Sequence, residues 1–390
     1  MPSPIEALMK PELLAWARRS ANLEPLAAAR KIKVTQDRIE AWEKGQVAPT
    51  VAELRRAATV YNRALGVFYL PAPPGDFETL RDFRRLGRGE TGEWSAALHA
   101  EYRRAHQQRD VLLEIAELDD TDPRRGWRVA SLRDDDNFIA EMARQVLLDG
   151  APLAFPTPGA NQYAHLHFWS SALEERGLLV MSTEGGQVSP PEMRAFSLYF
   201  ETLPVIMLNG ADWPRGRLFS LLHEYAHLLL HTAGLCDTTT DRRALTESRQ
   251  LEARCNSIAA AILLPSEQVL AQEVVIQHPP GAHWTLDELM EGAKPFGVSV
   301  ESFLRRLVTL NRVSLARYRD FRDGYDAEQM RGSKSSGGNF YYTKARDLGK
   351  GFVRTVTSAH RRALLDSTTT ATYLDVKVGQ ITRLAEVARL

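Results

Sequence analysis

The sequence predicts a mainly α-helical protein with one small β-sheet, an α+β fold. Apolar residues recur with helical spacing over most of the chain. Segments rich in aromatic and β-branched residues, typical of strands, occur at residues 177–181, 195–200 and 203–209. A proline-rich stretch at residues 70–75 and a stretch rich in glycine and serine at residues 331–338 are typical of linkers. We therefore expect a helical N-terminal domain, a central domain that holds the sheet, and a helical C-terminal region.

The composition excludes several classes of protein. The 390 residues are 44% hydrophobic, which is enough for two or three domains with cores of their own. No apolar run approaches the roughly 18 residues of a membrane-spanning helix, and no charged-then-apolar leader opens the chain. The two cysteines, Cys236 and Cys255, are too few for a disulfide framework. We expect a soluble protein of the cytoplasm.

The N-terminal segment predicts a bundle of four or five short helices between residues 11 and 70. The net charge of the whole chain is +0, but the first 75 residues carry eleven Lys and Arg against seven Asp and Glu. Helices at residues 25–30 and 35–43 are separated by a turn at residues 31–34, and Thr35 is a typical N-cap. This order indicates a helix-turn-helix.

Residues 1–72 resemble the phage-repressor-like XRE (Cro/C1-type) DNA-binding domain and would form its five-helix bundle. The motif residues are Val34, Thr35, Ile39, Trp42, Glu43, Lys44, Gly45, Pro49, Thr50 and Leu54. The resemblance implies that Thr35, Gln36 and Arg38 reach base edges in the major groove, with Lys33 and Lys44 near phosphates. Lys33 stands where that family has glycine, and Asp37 and Glu40 add negative charge to the reading helix. A helical bundle that does not bind DNA therefore remains the alternative.

The central motif is His223-Glu224-Tyr-Ala-His227, in a segment whose other positions are mostly apolar. On a helix, His223 and His227 lie one turn apart on one face and could hold a divalent metal. Glu224 lies beside them, where it could handle the proton of a water without being a ligand. A bound cation would offset the cost of burying these polar groups. His231 is about 12 Å from His223 along the helix, too far to share the ion.

The surroundings of the motif strengthen this interpretation. Residues 195–200 and 203–209 predict a hairpin before the helix, and Asp212 and Pro214 are helix-start signals. A second helical run after it supplies a carboxylate, with Glu247 and Glu252 as the candidates. The polar stretch 232–246 between the two helices is placed to cover the site.

Two segments together resemble the ImmA/IrrE family of zinc metallopeptidases. They are Arg217-Leu-Phe-Ser-Leu-Leu-His-Glu-Tyr-Ala-His227 and Glu252-Ala-Arg-Cys-Asn-Ser-Ile-Ala-Ala-Ala-Ile-Leu-Leu-Pro265. The resemblance implies a zincin-like peptidase core at residues 161–325, preceded by a linker and helical lead-in at residues 73–160. It also implies Glu252 as the third ligand of Zn²⁺, with Mn²⁺ as the alternative metal. Cys255 stands where the family usually has alanine. We expect a small buried residue there, and a thiolate that competes as a metal ligand is the alternative.

Three protein ligands would leave a fourth position open for water, as in catalytic zinc sites. Zinc would lower the pKa of that water, and Glu224 would take its proton and pass it to the leaving amine. We expect an extended substrate to pair with the strand that ends at Asn209. His278 and His283 fall in loops and are expected to be exposed to solvent.

The function that follows is a zinc metallo-endopeptidase that regulates transcription. The resemblance implies a protein substrate, a partner repressor whose cleavage switches on a stress response, and a DNA-binding domain in the same chain. The alternative is a non-catalytic DNA-binding regulator or antitoxin of a toxin-antitoxin operon, with a toxin as its partner. Residues 339–390 are assigned to interaction, as a homodimer arm, a grip on a partner or a lid.

Overall fold

The chain forms two compact units, which are described separately. The computed structural model describes residues 7, 9–21, 23–61, 63, 65–70, 95–122, 127, 130–161, 163–230, 242–279, 282–329 and 338–389. The units are Met1–His106 and Gln107–Leu390. Most of both predicted linkers, residues 232–241 of the predicted cover and His231 lie outside the described residues. The predicted domain boundaries stay predictions.

The first unit is a small helical bundle. Its helices are α1 Pro11–Ser20, α2 Pro25–Ile32, α3 Gln36–Glu43 and α4 Val51–Val60, followed by a 3-10 helix at Leu65–Tyr69. Thr35 caps α3 by accepting a hydrogen bond from the backbone N–H of Arg38, and Thr50 with Glu53 forms a capping box on α4. Trp42 and Phe68 are fully buried in the core. Helix α5, Ala96–Leu118, runs from this unit into the second.

The second unit holds the remaining helices and the sheet. Its further α-helices are α6 Asp136–Leu148, α7 Ala164–Glu175, α8 Pro214–Leu229, α9 Arg242–Leu263, α10 Ser266–Leu270, α11 Glu273–Ile276, α12 Leu286–Ala293, α13 Val300–Thr309, α14 Leu315–Gln329, α15 Phe340–Leu348, α16 Lys350–Arg361, α17 Ser367–Tyr373 and α18 Ile381–Arg389, with 3-10 helices at Lys294–Phe296 and Val378–Gln380. The strands are β1 Leu179–Ser182, β2 Ala195–Leu198 and β3 Val205–Leu208. The predicted fold class, mainly helical with a small β-sheet, is confirmed.

The strand order of the sheet is β1-β3-β2. β3 pairs in parallel with β1, Leu179 opposite Val205, and antiparallel with β2, Ala195 opposite Leu208. The predicted hairpin of β2 and β3 is therefore present. However, β3 is the central strand, so the prediction that a substrate pairs along the strand ending at Asn209 is wrong. Short apolar segments do not reveal which of them lies at an edge.

The C-terminal helices cover the β1 side of the sheet. Helices α15 and α16 pack against β1, and α16 also packs against α7. Gly349 joins the two helices with a φ of 87°, and a Cβ there would clash with the carbonyl oxygen of Val180 in β1. Among the described residues, β2 is the other edge strand of the sheet.

The core of the second unit lies between α8, α9 and the helices around them. Trp169, Leu221, Ile258 and Phe303 are among its fully buried side chains. Among the described residues, no helix combines the length and apolar character needed to cross a bilayer.

Candidate metal and catalytic site

Helix α8 carries three of the predicted site residues. Pro214 occupies its first turn and needs no backbone N–H there, with Trp213 as the N-cap. Leu221, Leu222 and most other apolar positions of α8 are buried, which fixes the rotation of the helix. His223 and His227 consequently share one face, with the Nε2 atoms of the two rings 3.1 Å apart.

Helix α9 brings the third predicted ligand to the same point. The Glu252 carboxylate oxygens lie 3.4 Å from Nε2 of His223 and 3.4 Å from Nε2 of His227. One donor atom from each residue lies within 4.8 Å of the others. Two imidazole nitrogens and a carboxylate are a donor set that zinc accepts, so these residues fit a single divalent ion. The side chains are 12%, 22% and 27% exposed, so the cluster is open enough for a ligand to reach it.

Arg254 holds α9 in place beside α6. Its Nε donates to Oδ1 of Asp136 at 2.8 Å, and its other nitrogens donate to the carbonyl oxygens of Leu132 and Asp134. Arg254 lies two residues from Glu252 on α9. This anchor therefore helps to fix the position of the third ligand relative to α8.

The protonation of the cluster is that of an ion pair. Burial alone would lower the pKa of His227, but the Cys255 thiol and the Glu252 carboxylate beside it hold that pKa well above its ordinary value. Burial would likewise raise the pKa of Glu252, and hydrogen bonds from His223 and His227 hold it far below its usual range instead. In the metal-free chain, His227 therefore favours its protonated form and Glu252 its ionised form.

Cys255 is buried, as expected, and its thiol lies beside His227. Burial raises the pKa of this thiol. His223 is supported by the ring of Phe219, stacked at 6.3 Å between centroids. Its Nδ1 is buried and has no hydrogen-bond partner in the described part of the chain.

Glu224 has a partner that the sequence analysis missed. The hydroxyl of Ser197 in β2 donates a hydrogen bond of 2.7 Å to Oε2 of Glu224. The available signal was the alternation of β2, in which Phe196 and Leu198 are buried while Ser197 is only half-buried on the other face. Because β2 packs against α8, this polar position falls beside the motif.

Asn209 was predicted to bind substrate, and its environment contradicts that role. The side chain is completely buried. Its Nδ2 donates to the carbonyl oxygens of Val188 at 3.0 Å and Met193 at 2.7 Å, and its Oδ1 accepts from the backbone N–H of Ala211. Asn209 therefore organises the loops around the end of β3, and its side chain has no surface to offer a substrate.

The predicted DNA-binding residues lie on or beside α3, and several contact carboxylates. Lys33, Thr35, Gln36 and Lys44 are exposed. The Arg38 guanidinium donates to both oxygens of Glu53 at 2.9 and 3.1 Å. Glu40 accepts from Gln36 at 2.9 Å and from Lys44 at 3.4 Å. These contacts compete with base and phosphate contacts, and DNA binding stays a prediction.

Lys33 ends α2 in the left-handed conformation, with a φ of 64°. This backbone conformation favours glycine, which explains physically why the resembled family has glycine at the turn.

One of the two loop histidines is not exposed. The His278 side chain is 6% exposed and stacks on Trp284 with ring centroids 3.7 Å apart, so the prediction for it was wrong. Trp284 follows six residues later in the chain, and this spacing is not a helix or strand period that would have predicted the stacking of the two rings. His283 is exposed, as predicted.

The site defines a class of protein: a mainly helical fold in which an HExxH helix and a glutamate from the next helix form a metal-ligand cluster. Residues 173–308 match the family model Peptidase_M78, the IrrE N-terminal-like domain. The matched range contains His223, Glu224, His227 and Glu252, and it supports a peptidase-type domain. No curated protein matches the chain.

Proposed function

We propose that the second unit is a metal-dependent endopeptidase that cleaves a partner regulatory protein and thereby changes transcription. The observation that carries the proposal is the convergence of His223, His227 and Glu252, with Glu224 beside them and hydrogen-bonded to β2. The family match supports the peptidase class. The resemblance to ImmA/IrrE peptidases supports a repressor-like substrate and zinc, with manganese as the alternative metal.

The residues divide the chemistry between them. His223 and His227 would hold the ion through Nε2, and Glu252 through its carboxylate. When bound, zinc supplies a Lewis acid that polarises a peptide carbonyl and lowers the pKa of a water molecule. Glu224 takes a proton from the attacking water and returns it to the leaving amine as the C–N bond breaks. The edge strand β2 pairs with the extended backbone of the substrate and holds it along the site.

The test is cleavage of a candidate substrate by the purified chain. The zinc-loaded protein is mixed with the repressor-like product of the neighbouring gene and, in parallel, with a peptide library prepared from whole-cell protein, and fragments are read by mass spectrometry. We expect defined cleavage that a chelator abolishes and that Glu224→Gln abolishes while retaining metal. Cleavage by Glu224→Gln would overturn the proposal. Binding that neutralises a toxin equally well in Glu224→Gln, without cleavage, would establish the non-catalytic alternative.

The proposal gives the first unit a role in bringing the peptidase to DNA. The exposed side chains of Lys33, Gln36 and Lys44 support this role, and Arg38 would exchange Glu53 for a base edge. Binding of labelled genomic fragments should be lost in Arg38→Ala and retained in Arg55→Ala, a matched arginine on the exposed side of α4. Equal DNA binding by the two variants would contradict the assignment of α3 as the helix that contacts the bases.

A further inference from the structure

Ser197 links the edge strand of the sheet to the general base. It lies in the four-residue strand β2, opposite Ile206 of β3. Its hydroxyl reaches across to α8 and donates to Oε2 of Glu224 at 2.7 Å. Both residues are half-buried, so the contact is partly open to solvent, and Glu224 directly follows the candidate ligand His223 in α8.

This contact fixes one carboxylate oxygen and leaves the other available. Among the described residues, Ser197 is the only side chain for which a hydrogen bond to Glu224 is found, and Oε1 takes no part in it. A glutamate side chain that is held by a single helix keeps several rotamers, and a general base acts only within hydrogen-bond reach of the proton. A bond to Oε2 therefore restricts the rotation of the carboxylate and leaves Oε1 as the oxygen that could accept the reacting proton.

We propose that Ser197 is a positioning residue that orients the Glu224 carboxylate toward the reacting proton. The inference rests on the proposed peptidase function. A substrate paired to β2 would lie along the strand that carries Ser197, which would bring its backbone close to the base. Hydrogen bonds to ionised groups are the stronger ones, which suits this role.

A pair of variants with the same shape separates the hydroxyl from the bulk of the side chain. Ser197→Thr keeps the hydroxyl, whereas Ser197→Val replaces it with a methyl group, and both β-branched residues suit a strand. Ser197→Ala removes the donor without adding volume. Ser182→Ala is the control, because Ser182 lies in β1, which β3 separates from β2. Glu224→Gln removes the carboxylate itself and therefore shows the largest loss that a change at Ser197 could cause.

The probe is acetohydroxamate, a small zinc-peptidase ligand whose acidic proton needs a carboxylate acceptor. Its dissociation constant is measured from the visible absorption of the cobalt-loaded full chain, so the readout does not depend on an identified substrate. We expect Ser197→Val and Ser197→Ala to weaken binding about 10-fold, the loss of one hydrogen bond to a charged group. Ser197→Thr and Ser182→Ala should bind within about 3-fold of the unchanged chain. Cobalt stoichiometry should be the same in all variants.

Peptide cleavage supplies a second readout. The values of kcat for Ser197→Val and Ser197→Ala should fall about 10- to 100-fold with little change in KM, because only the base is disturbed. Equal acetohydroxamate affinity in Ser197→Thr and Ser197→Val, with a large loss in Glu224→Gln, would overturn the inference and leave the peptidase proposal intact. If Glu224→Gln itself has no effect, or cobalt does not bind, the proposed function fails and the role of Ser197 fails with it.

Discussion

Arg354→Met should loosen the attachment of helix α16 to helix α7 in the second unit. Arg354 donates to Oε2 of Glu174 in α7 at 2.8 Å, and the backbone N–H of Gly351 donates to Oε1 at 3.0 Å. The Glu174 side chain is 8% exposed and that of Arg354 is 38% exposed. A Cβ at Gly351 would press on this carboxylate, so the glycine allows the close approach. Among the described residues, loss of Arg354 leaves this buried carboxylate with one hydrogen-bond donor in place of two.

The expected cost can be bounded from the burial of the two partners. Removing one partner of a buried ion pair costs about 3–5 kcal/mol. Because more than a third of Arg354 is exposed, solvent screening reduces this figure to about 2 kcal/mol. The matched control is Arg383→Met, which breaks a 2.7 Å pair with Glu386 whose side chains are 58% and 53% exposed. We expect about 0–0.5 kcal/mol for the control.

The assay is hydrogen-deuterium exchange of the full chain, followed over the amides of residues 350–361. A loss of about 2 kcal/mol should speed their exchange about 30-fold relative to the unchanged chain, and Arg383→Met should change it less than about 3-fold. Equal exchange in the two variants would refute the idea that burial makes the Glu174 pair the stronger attachment.

The effect should also depend on pH in a defined direction. Burial raises the pKa of Glu174 above its usual 4.5, against the opposing effect of Arg354. The folded chain therefore binds this proton more tightly than the unfolded chain, and stability falls as pH rises from about 4.5 through the raised pKa. Without Arg354 the ionised form is penalised more, so the deficit of Arg354→Met should be largest at neutral pH and shrink on acidification. A deficit independent of pH would contradict this reasoning.

Two further predictions concern the site. Asn209→Ala should lower the free energy of unfolding, measured in urea, by about 3 kcal/mol, because it leaves buried backbone groups unpaired. Zinc affinity and KM should not change. An altered KM without a loss of stability would restore Asn209 as a substrate contact. Zinc binding should release a proton from His227, whose pKa is raised, with the release declining as pH rises through that pKa. Calorimetry in buffers of different ionisation enthalpy measures the number of protons released. Zero release at neutral pH would contradict the pairing of a protonated His227 with an ionised Glu252. In the metal-free chain, the stability from His227 should be complete below about pH 6.5 and be lost as pH rises through the raised pKa.

The two helices that carry the candidate metal ligands could be predicted from the sequence because the chemistry is local to each. The spacing of His223 and His227 fixes their shared face on any helix, and the apolar residues around them fix which side is buried. The resemblance supplied Glu252, and the structure places it 3.4 Å from both imidazoles.

The arrangement of the sheet could not be predicted in the same way. Three short apolar strands are compatible with several orders, and the packing of the C-terminal helices on β1 cannot be read from the sequence. Ser197 was missed for that reason, since a single serine in a strand has meaning only once the strand is placed beside α8. Asn209 was misassigned because a polar residue at a strand end suits a loop anchor as well as a substrate contact.

The most direct test of the central claim is equilibrium dialysis of the full chain against zinc, with bound metal measured by elemental analysis. We predict one zinc per chain for the unchanged protein and for Glu224→Gln. Glu252→Gln removes a proposed ligand, so the dissociation constant for zinc should rise. The rise should exceed the roughly 10- to 100-fold loss that is typical when an outer-shell partner is removed. Unchanged zinc binding in Glu252→Gln, or no zinc bound by the unchanged chain, would contradict the account.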